Sequence, residues 1–209
     1  MRSPTAARVP RPSADATRAR ILSAALDVFA ELAFEGATVR EIASRAGVTQ
    51  PLLNYHFSSK DELWRTAVDQ LFEALNTALR TRLEGLQGVD ELTTAKLLSR
   101  EFIYFSARNP QLFRIITGEC KTESARLDWL TERHTGPLYE ATVAMYHRLE
   151  VAGHGLAMRP AQAYYILIGA GATIFALGPE CRRVAGIDPC TDDAIDAHAI
   201  AVIALLFGS

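Results

Sequence analysis

Between Thr49 and Ser59 the chain brings Thr49, Gln50, Leu52, Asn54, Tyr55 and His56 close together, with no carboxylate in the stretch. Side-chain amides such as Gln50 and Asn54 can pair bidentately with an adenine edge, and an exposed leucine or threonine methyl can meet a thymine methyl. Tyr55 and His56 can donate to phosphate oxygens, which sets position on a duplex without reading bases. A polar surface helix with no such task has little reason to expose a leucine and exclude acids. Two cations stand at predicted helix starts nearby, Arg40 in one first turn and Lys60 at the opening of another. A helix N-terminus is already electropositive, so each placement costs about 0.3–1 kcal/mol. Bound phosphate would remove that conflict and use the free backbone N–H groups.

The elements that must position these residues are helices. From about Ala16, Ile21, Ala25, Phe29 and Ala33 recur every four residues, with Leu22 and Leu26 beside them and Gly36 as the stop. Thr38-Val39-Arg40-Glu41 is a capping-box sequence that opens a short helix with Val39, Ile42, Ala43 and Ala46 on its inner face. Gly47 falls where the chain must reverse, a place that often needs positive φ. A second short helix runs from about Thr49 to His56, with Val48, Leu53 and Phe57 as its inward stripe. Two short helices about such a turn have helix-turn-helix dimensions. Ser59-Lys60-Asp61-Glu62, another capping box, starts a long helix that Gly85 and Gly88 end.

Further helices are predicted over roughly 91–107, from an N-cap at Asn109 with Pro110 at the first helical position, near 122–134 with a break at Gly136-Pro137, and on to about 152. Another follows from Pro160 to Gly178, and a last from near Thr191 to Phe207. No segment alternates as a strand does, so the fold class is all-α. The domains expected are a disordered basic arm over 1–14, a three-helix helix-turn-helix domain over 15–60 and a larger helical body over 61–209.

Charge follows the same division. Residues 1–60 hold eight Lys or Arg against five Asp or Glu, and the remainder 14 against 19. A basic head on an acidic body suits a protein that touches phosphate with one end. Cys120, Cys181 and Cys190 lack CxxC spacing, so neither a disulfide framework nor a metal site is indicated, and no cofactor is expected. The basic N-terminus lacks the apolar stretch of a secretory signal, and the run from Tyr164 to Gly178 is short for a membrane span, so a cytoplasmic protein is expected with no membrane partner. No nucleophile elbow, P-loop, HExxH or dinucleotide glycine motif appears. Asp196 and His198 stand too close along a helix to share a face. An enzyme is not expected.

Residues from about Thr17 to Ala67 resemble the N-terminal domain of TetR-family regulators. The resemblance rests on Ile21, Ala24, Ala25 and Phe29, on Gly36 and Thr38-Val39-Arg40-Glu41-Ile42-Ala43, and on Ala46-Gly47-Val48. It continues through Leu53-Asn54-Tyr55-His56-Phe57 and Ser59-Lys60-Asp61-Glu62-Leu63. It implies a homodimer that binds a pseudo-palindromic double-stranded DNA operator and most often represses until a small-molecule effector releases it. An activator of the same fold is the alternative, and a helical small-molecule enzyme a remote one. By matching position, Gln50, Pro51, Leu52, Asn54 and His56 face DNA in the family, while Arg40, Tyr55 and Lys60 fall at or beside backbone contacts. Thr38 and Thr49 are counted with them. Asn54 stands where the family usually has tyrosine, and Leu52 where a smaller residue is common.

In the body, the apolar run carries Gly169-Ala170-Gly171-Ala172, and glycine costs about 1 kcal/mol inside a helix, so something should pack close. With the last helix (Ile195, Ala199, Val202, Ile203, Leu206) it would form a four-helix dimer interface that includes Gly169 and Gly171. Phe102, Phe105, Phe113, Ile116, Trp129, His134, Tyr139 and Tyr146 lie on the middle helices where the family keeps its cavity, and are expected to line it.

Overall fold

A computed structural model describes residues 13–208, and among them the secondary structure is helical with no strand. The fold is all-α. The chain forms two compact units that divide between Ala67 and Val68.

In the first unit, α1 (Ala14–Gly36) packs with α2 (Val39–Arg45), α3 (Gln50–His56) and the opening turns of α4 (Lys60–Glu84). The basic arm expected over 1–14 lies outside the described residues as far as 12. Ala14 is already helical because the Ser13 hydroxyl accepts from Ala16 N at 3.1 Å. Ile21, Ala25 and Phe29 are buried, as their four-residue spacing predicts. Ala33 departs from that spacing: it is exposed, at φ 56° and ψ 176°, and breaks the regular helix. The break turns Phe34 back under the unit, where its ring stacks 5.9 Å from Phe29 and meets Trp64 edge-on at 6.3 Å.

Both predicted capping boxes form in part. Thr38 Oγ1 accepts from Glu41 N at 3.1 Å, but the Glu41 carboxylate accepts from Arg45 Nε at 2.9 Å. Ser59 Oγ accepts from Glu62 N at 3.0 Å, and Glu62 reaches Ser58 N and Oγ, which holds its carboxyl below the usual range. Gly47, between α2 and α3, has φ +63°, the left-handed turn expected of it.

The second unit adds α5 (Glu91–Arg108), α6 (Gln111–Glu119), α7 (Ala125–Leu130), α8 (Gly136–Val151), α9 (Pro160–Ala176), α10 (Gly178–Val184) and α11 (Asp192–Phe207) to the rest of α4. Three local expectations are corrected. Asn109 does not cap α6; its Nδ2 donates to Phe105 O at 3.0 Å and closes α5 instead. Gly136-Pro137 does not break the chain, because Thr131–Thr135 forms a π-helical turn that joins α7 to α8. A Cβ at Gly136 would lie 2.7 Å from Thr131 O, so the turn requires glycine there. Gly178-Pro179 opens α10 rather than ending the apolar segment, with a 71° bend from α9.

The core of this unit is Ile103, Phe175, Ile195, Ala199, Val202 and Leu206, where α5, α9 and α11 meet. Among the described residues no single helix is long and apolar enough to cross a membrane.

Candidate nucleic-acid interface

Helix α3 is held by its inner face. Leu53 and Phe57 are buried, Val48 is half-buried, and Arg18 stacks on the Phe57 ring at 5.0 Å. The Thr49 hydroxyl caps the helix by accepting from Leu52 N at 3.4 Å, and Pro51 occupies its first turn, where no N–H is needed. That anchoring turns the other face outward. Thr49, Gln50, Pro51, Leu52, Asn54 and Tyr55 are exposed, with Tyr55 at 82%, and His56 is half-buried with its ring edge-on to Tyr55 at 5.4 Å. Thr38 and Arg40 at the start of α2 are exposed as well.

Lys60 has a structural task that sequence reasoning missed. Its Nζ donates to Phe34 O at 2.8 Å and Ala37 O at 3.1 Å, and lies 4.3 Å from the Phe34 ring centroid. The cation at the start of α4 thus sits on the electronegative end of α1, which offsets the dipole conflict without any bound phosphate. Phe34 one turn before Thr38, an aromatic beside a helix end with a lysine on the next long helix, was the available signal.

The second unit encloses a cavity of about 470 Å³ between α4, α5, α6, α8 and α9. Of the eight residues expected to line it, Phe102, Phe113, Ile116 and Tyr146 do so. Phe105, Trp129, His134 and Tyr139 are not on its wall. Phe105 is buried on another side of α5, and Tyr139 packs edge-on to Tyr164 at 5.3 Å. His134 stacks on Phe72 at 4.4 Å with Trp129 edge-on at 5.1 Å. Its Nε2 lies 2.9 Å from Asp69 Oδ1 but off the line of a hydrogen bond, and burial outweighs that carboxylate, pushing the imidazole below its ordinary value. Wall residues missed by the sequence reading include Leu138, Thr142, Met145 and Leu149, whose spacing of four, three and four along α8 was a readable stripe. Burial pushes the Tyr164 hydroxyl, also on the wall, up to about 12.

The expected interface residues split in the same way. Gly171, Ile195, Ala199, Val202 and Leu206 are buried inside the chain, and a Cβ at Gly171 would meet Ile103 Cγ1 at 3.1 Å. The close approach inferred from the glycines is therefore α9 on α5 of the same chain, and these five residues are core. Gly169, whose Cβ direction is open, and the half-buried Ile203 are not so enclosed. The large apolar residues that α9 and α11 expose are Tyr165 at 70%, Ile166 at 37%, Ile200 at 69% and Leu205 at 67%.

Comparison with known proteins agrees with this geometry. Residues 21–67 match the family model described as bacterial regulatory proteins, tetR family. The HTH-type transcriptional activator FasR of Mycolicibacterium smegmatis is 36% identical over 113 residues, 52% of this chain and 48% of that protein. The HTH-type transcriptional regulator RutR of Escherichia coli is 33% identical over 118 residues, 51% of this chain and 56% of that one. The chain thus spans about half the length of the curated relatives it matches. Two solved structures share the fold over most of the chain. A Clostridium perfringens putative fatty acid metabolism regulator superposes with TM-score 0.73 at 21% identity, covering 91% of this chain and 98% of that one. The ketosteroid transcriptional regulator KstR2 of Mycobacterium tuberculosis does so with TM-score 0.71 at 16% identity, covering 92% and 95%. Over residues 21–67 the first unit thus matches the N-terminal domain of the TetR family of bacterial regulatory proteins.

Proposed function

We propose that this chain is a sequence-specific DNA-binding transcriptional regulator, a homodimer that occupies a pseudo-palindromic operator and leaves it when a small molecule enters the body. The observation that carries the reading is the outer face of α3, an acid-free array of Gln50, Leu52, Asn54, Tyr55 and His56 held in place by buried Leu53 and Phe57. Gln50 and Asn54 take base edges and Leu52 a thymine methyl, while Arg40, Tyr55, Thr38, Thr49 and a remaining N–H of Lys60 take phosphate.

A reader of half-sites needs two heads one DNA turn apart, roughly 34–36 Å. The apolar outer face of α9 and α11, with Tyr165, Ile200 and Leu205, supports pairing of two copies through these helices. The effector is an organic compound with a large apolar part, given the cavity wall and the fatty-acid and ketosteroid chemistry in the names of two structural neighbours. We assign it no turnover and a cytoplasmic place. Activation is a second reading, favoured by one observation: FasR, 36% identical over 113 residues, is named an activator.

Selection of bound fragments from genomic DNA tests the reading. A discrete operator is expected, on which Gln50→Ala loses about 1–3 kcal/mol and relaxes one half-site position. Arg40→Gln weakens all sequences alike and flattens the salt dependence. Wild-type binding by both variants overturns the assignment, and a reporter driven from the operator separates repression from activation.

A further inference from the structure

The cavity wall carries more information than its size. Four of its hydroxyls already donate to backbone carbonyls: Ser106 to Phe102 O at 2.8 Å, Thr142 to Leu138 O at 2.9 Å, Tyr146 to Met158 O at 2.6 Å and Tyr164 to Thr135 O at 3.4 Å. Donors spent in this way leave aliphatic and aromatic surface facing inward, so the interior favours a carbon skeleton over a polar one.

Exposure along the wall locates the mouth. The wall residues that are exposed are Arg80, Leu83, Ala141 and Arg148, from the end of α4 and one side of α8. Among the described residues no aspartate or glutamate belongs to the wall, and its full charges are these two guanidinium groups. Each has a partner outside the cavity, Arg80 Nη2 with Glu73 Oε1 at 2.9 Å and Arg148 Nε with Glu91 Oε2 at 3.1 Å. Ion pairs this exposed are worth little, and a guanidinium has five N–H donors, so both can turn to a ligand at small cost.

We infer that the effector is an amphipathic anion: its apolar body fills the cavity and its single carboxylate or phosphate head stays at the mouth between Arg80 and Arg148. This rests on the effector-responsive reading above and narrows its ligand to a chemical class. A neutral hydrocarbon would leave the cationic rim unused, and a compound with polar groups along its length would bury most of them against a wall that is largely aliphatic and aromatic.

Calorimetric titration of the full chain, without DNA, with dodecanoate, dodecyl phosphate and dodecanol below their micelle concentrations tests the class. One of the two anions is expected to bind at least tenfold tighter than the alcohol, as a charge-assisted contact requires, and whichever is tighter names the head. Shortening the chain should weaken binding about three- to fourfold per methylene. In the Arg80→Gln/Arg148→Gln double variant the preference for the anion should shrink to under threefold while dodecanol binds as before. Both side chains are exposed, so the variant should keep the wild-type melting temperature, and either single variant serves in its place if it does not.

Equal affinity of anion and alcohol for the wild type overturns the inference, as does no binding by any of the three. So does a double variant that loses all three alike, since the arginines would then shape the cavity rather than read charge. DNA binding is measured separately, so loss of the regulator reading and loss of this one remain distinct results.

Discussion

In the unit that ends at Ala67, Ile21, Phe29, Ile42, Leu53, Leu63 and Trp64 close an interior that leaves none of them more than 2% exposed. The unit from Val68 onward keeps about 470 Å³ of space among side chains such as Phe102, Phe113, Leu138 and Ile168. The filled unit locks its inner rotamers, so the side chains on its outside form a fixed array suited to a rigid partner such as duplex DNA. The hollow unit gives up packing for capacity, which suits a small guest. One chain thus carries an outward site and an inward one, each built by the opposite treatment of its apolar residues.

The sharpest way to break that contrast is to add bulk to both interiors. Ala25→Leu, at a fully buried position of α1, should destabilise the first unit by about 1–3 kcal/mol, seen as an earlier transition of Trp64 fluorescence in urea. Ser106→Leu puts comparable bulk toward open space and should leave the body as stable or more so, followed through Trp129. Equal losses would mean that the body is as full as the head.

Lys60→Met should come next. It removes two charge-assisted hydrogen bonds to the end of α1 and should cost about 1–2 kcal/mol, confined to the Trp64 transition. An unchanged transition would deny Lys60 its part in the head's rigidity. Ala33→Gly relieves an alanine held at φ 56° and should stabilise the same unit by about 1 kcal/mol, against a loss of similar size for Gly47→Ala at φ +63°. Should both substitutions shift the midpoint the same way, backbone strain at the α1 break is not what distinguishes them.

The smallest effect concerns pH. His134 is held below the ordinary imidazole value of 6.5 by burial against Phe72 and Trp129, despite Asp69, and Arg133 acts in the same direction as burial. The unfolded chain therefore binds the more protons in the interval below 6.5, and folded stability rises with pH across it. The body's stability should be fully present above 6.5 and decline as pH falls toward the folded value. His134→Gln should flatten that slope while leaving the head's pH dependence unchanged.

The head was largely legible in the sequence, because each of its signals is local. Thr38, Thr49 and Ser59 each take the N–H three residues on, Gly47 supplies its turn, and Leu53 and Phe57 show which side of α3 is inward. What escaped was non-local: Ala33 fits a helical repeat, and only the packing of Phe34 on Phe29 and Trp64 shows why the helix stops there. The body was legible as helices but not in the direction of its faces. Helix α11 is apolar nearly all round, so spacing alone cannot tell Ile195 and Val202, which meet Ile103 and Phe175, from Ile200 and Leu205, which meet solvent. The cavity was half found for the same reason: an aromatic that fills a core and one that lines a hollow have the same periodicity.

The π-helical turn at Thr131–Thr135 has a consequence for how this body can vary. Such a turn admits one residue more than an α-helical path would, which rotates everything after it by roughly 100° about the axis. The stripe from Leu138 through Thr142 and Met145 to Leu149 points inward only in that phase. Deleting a single residue between 131 and 135 would restore a regular helix and swing the stripe off the cavity wall. Stretching the α4–α5 connection by a residue would cause no such rotation.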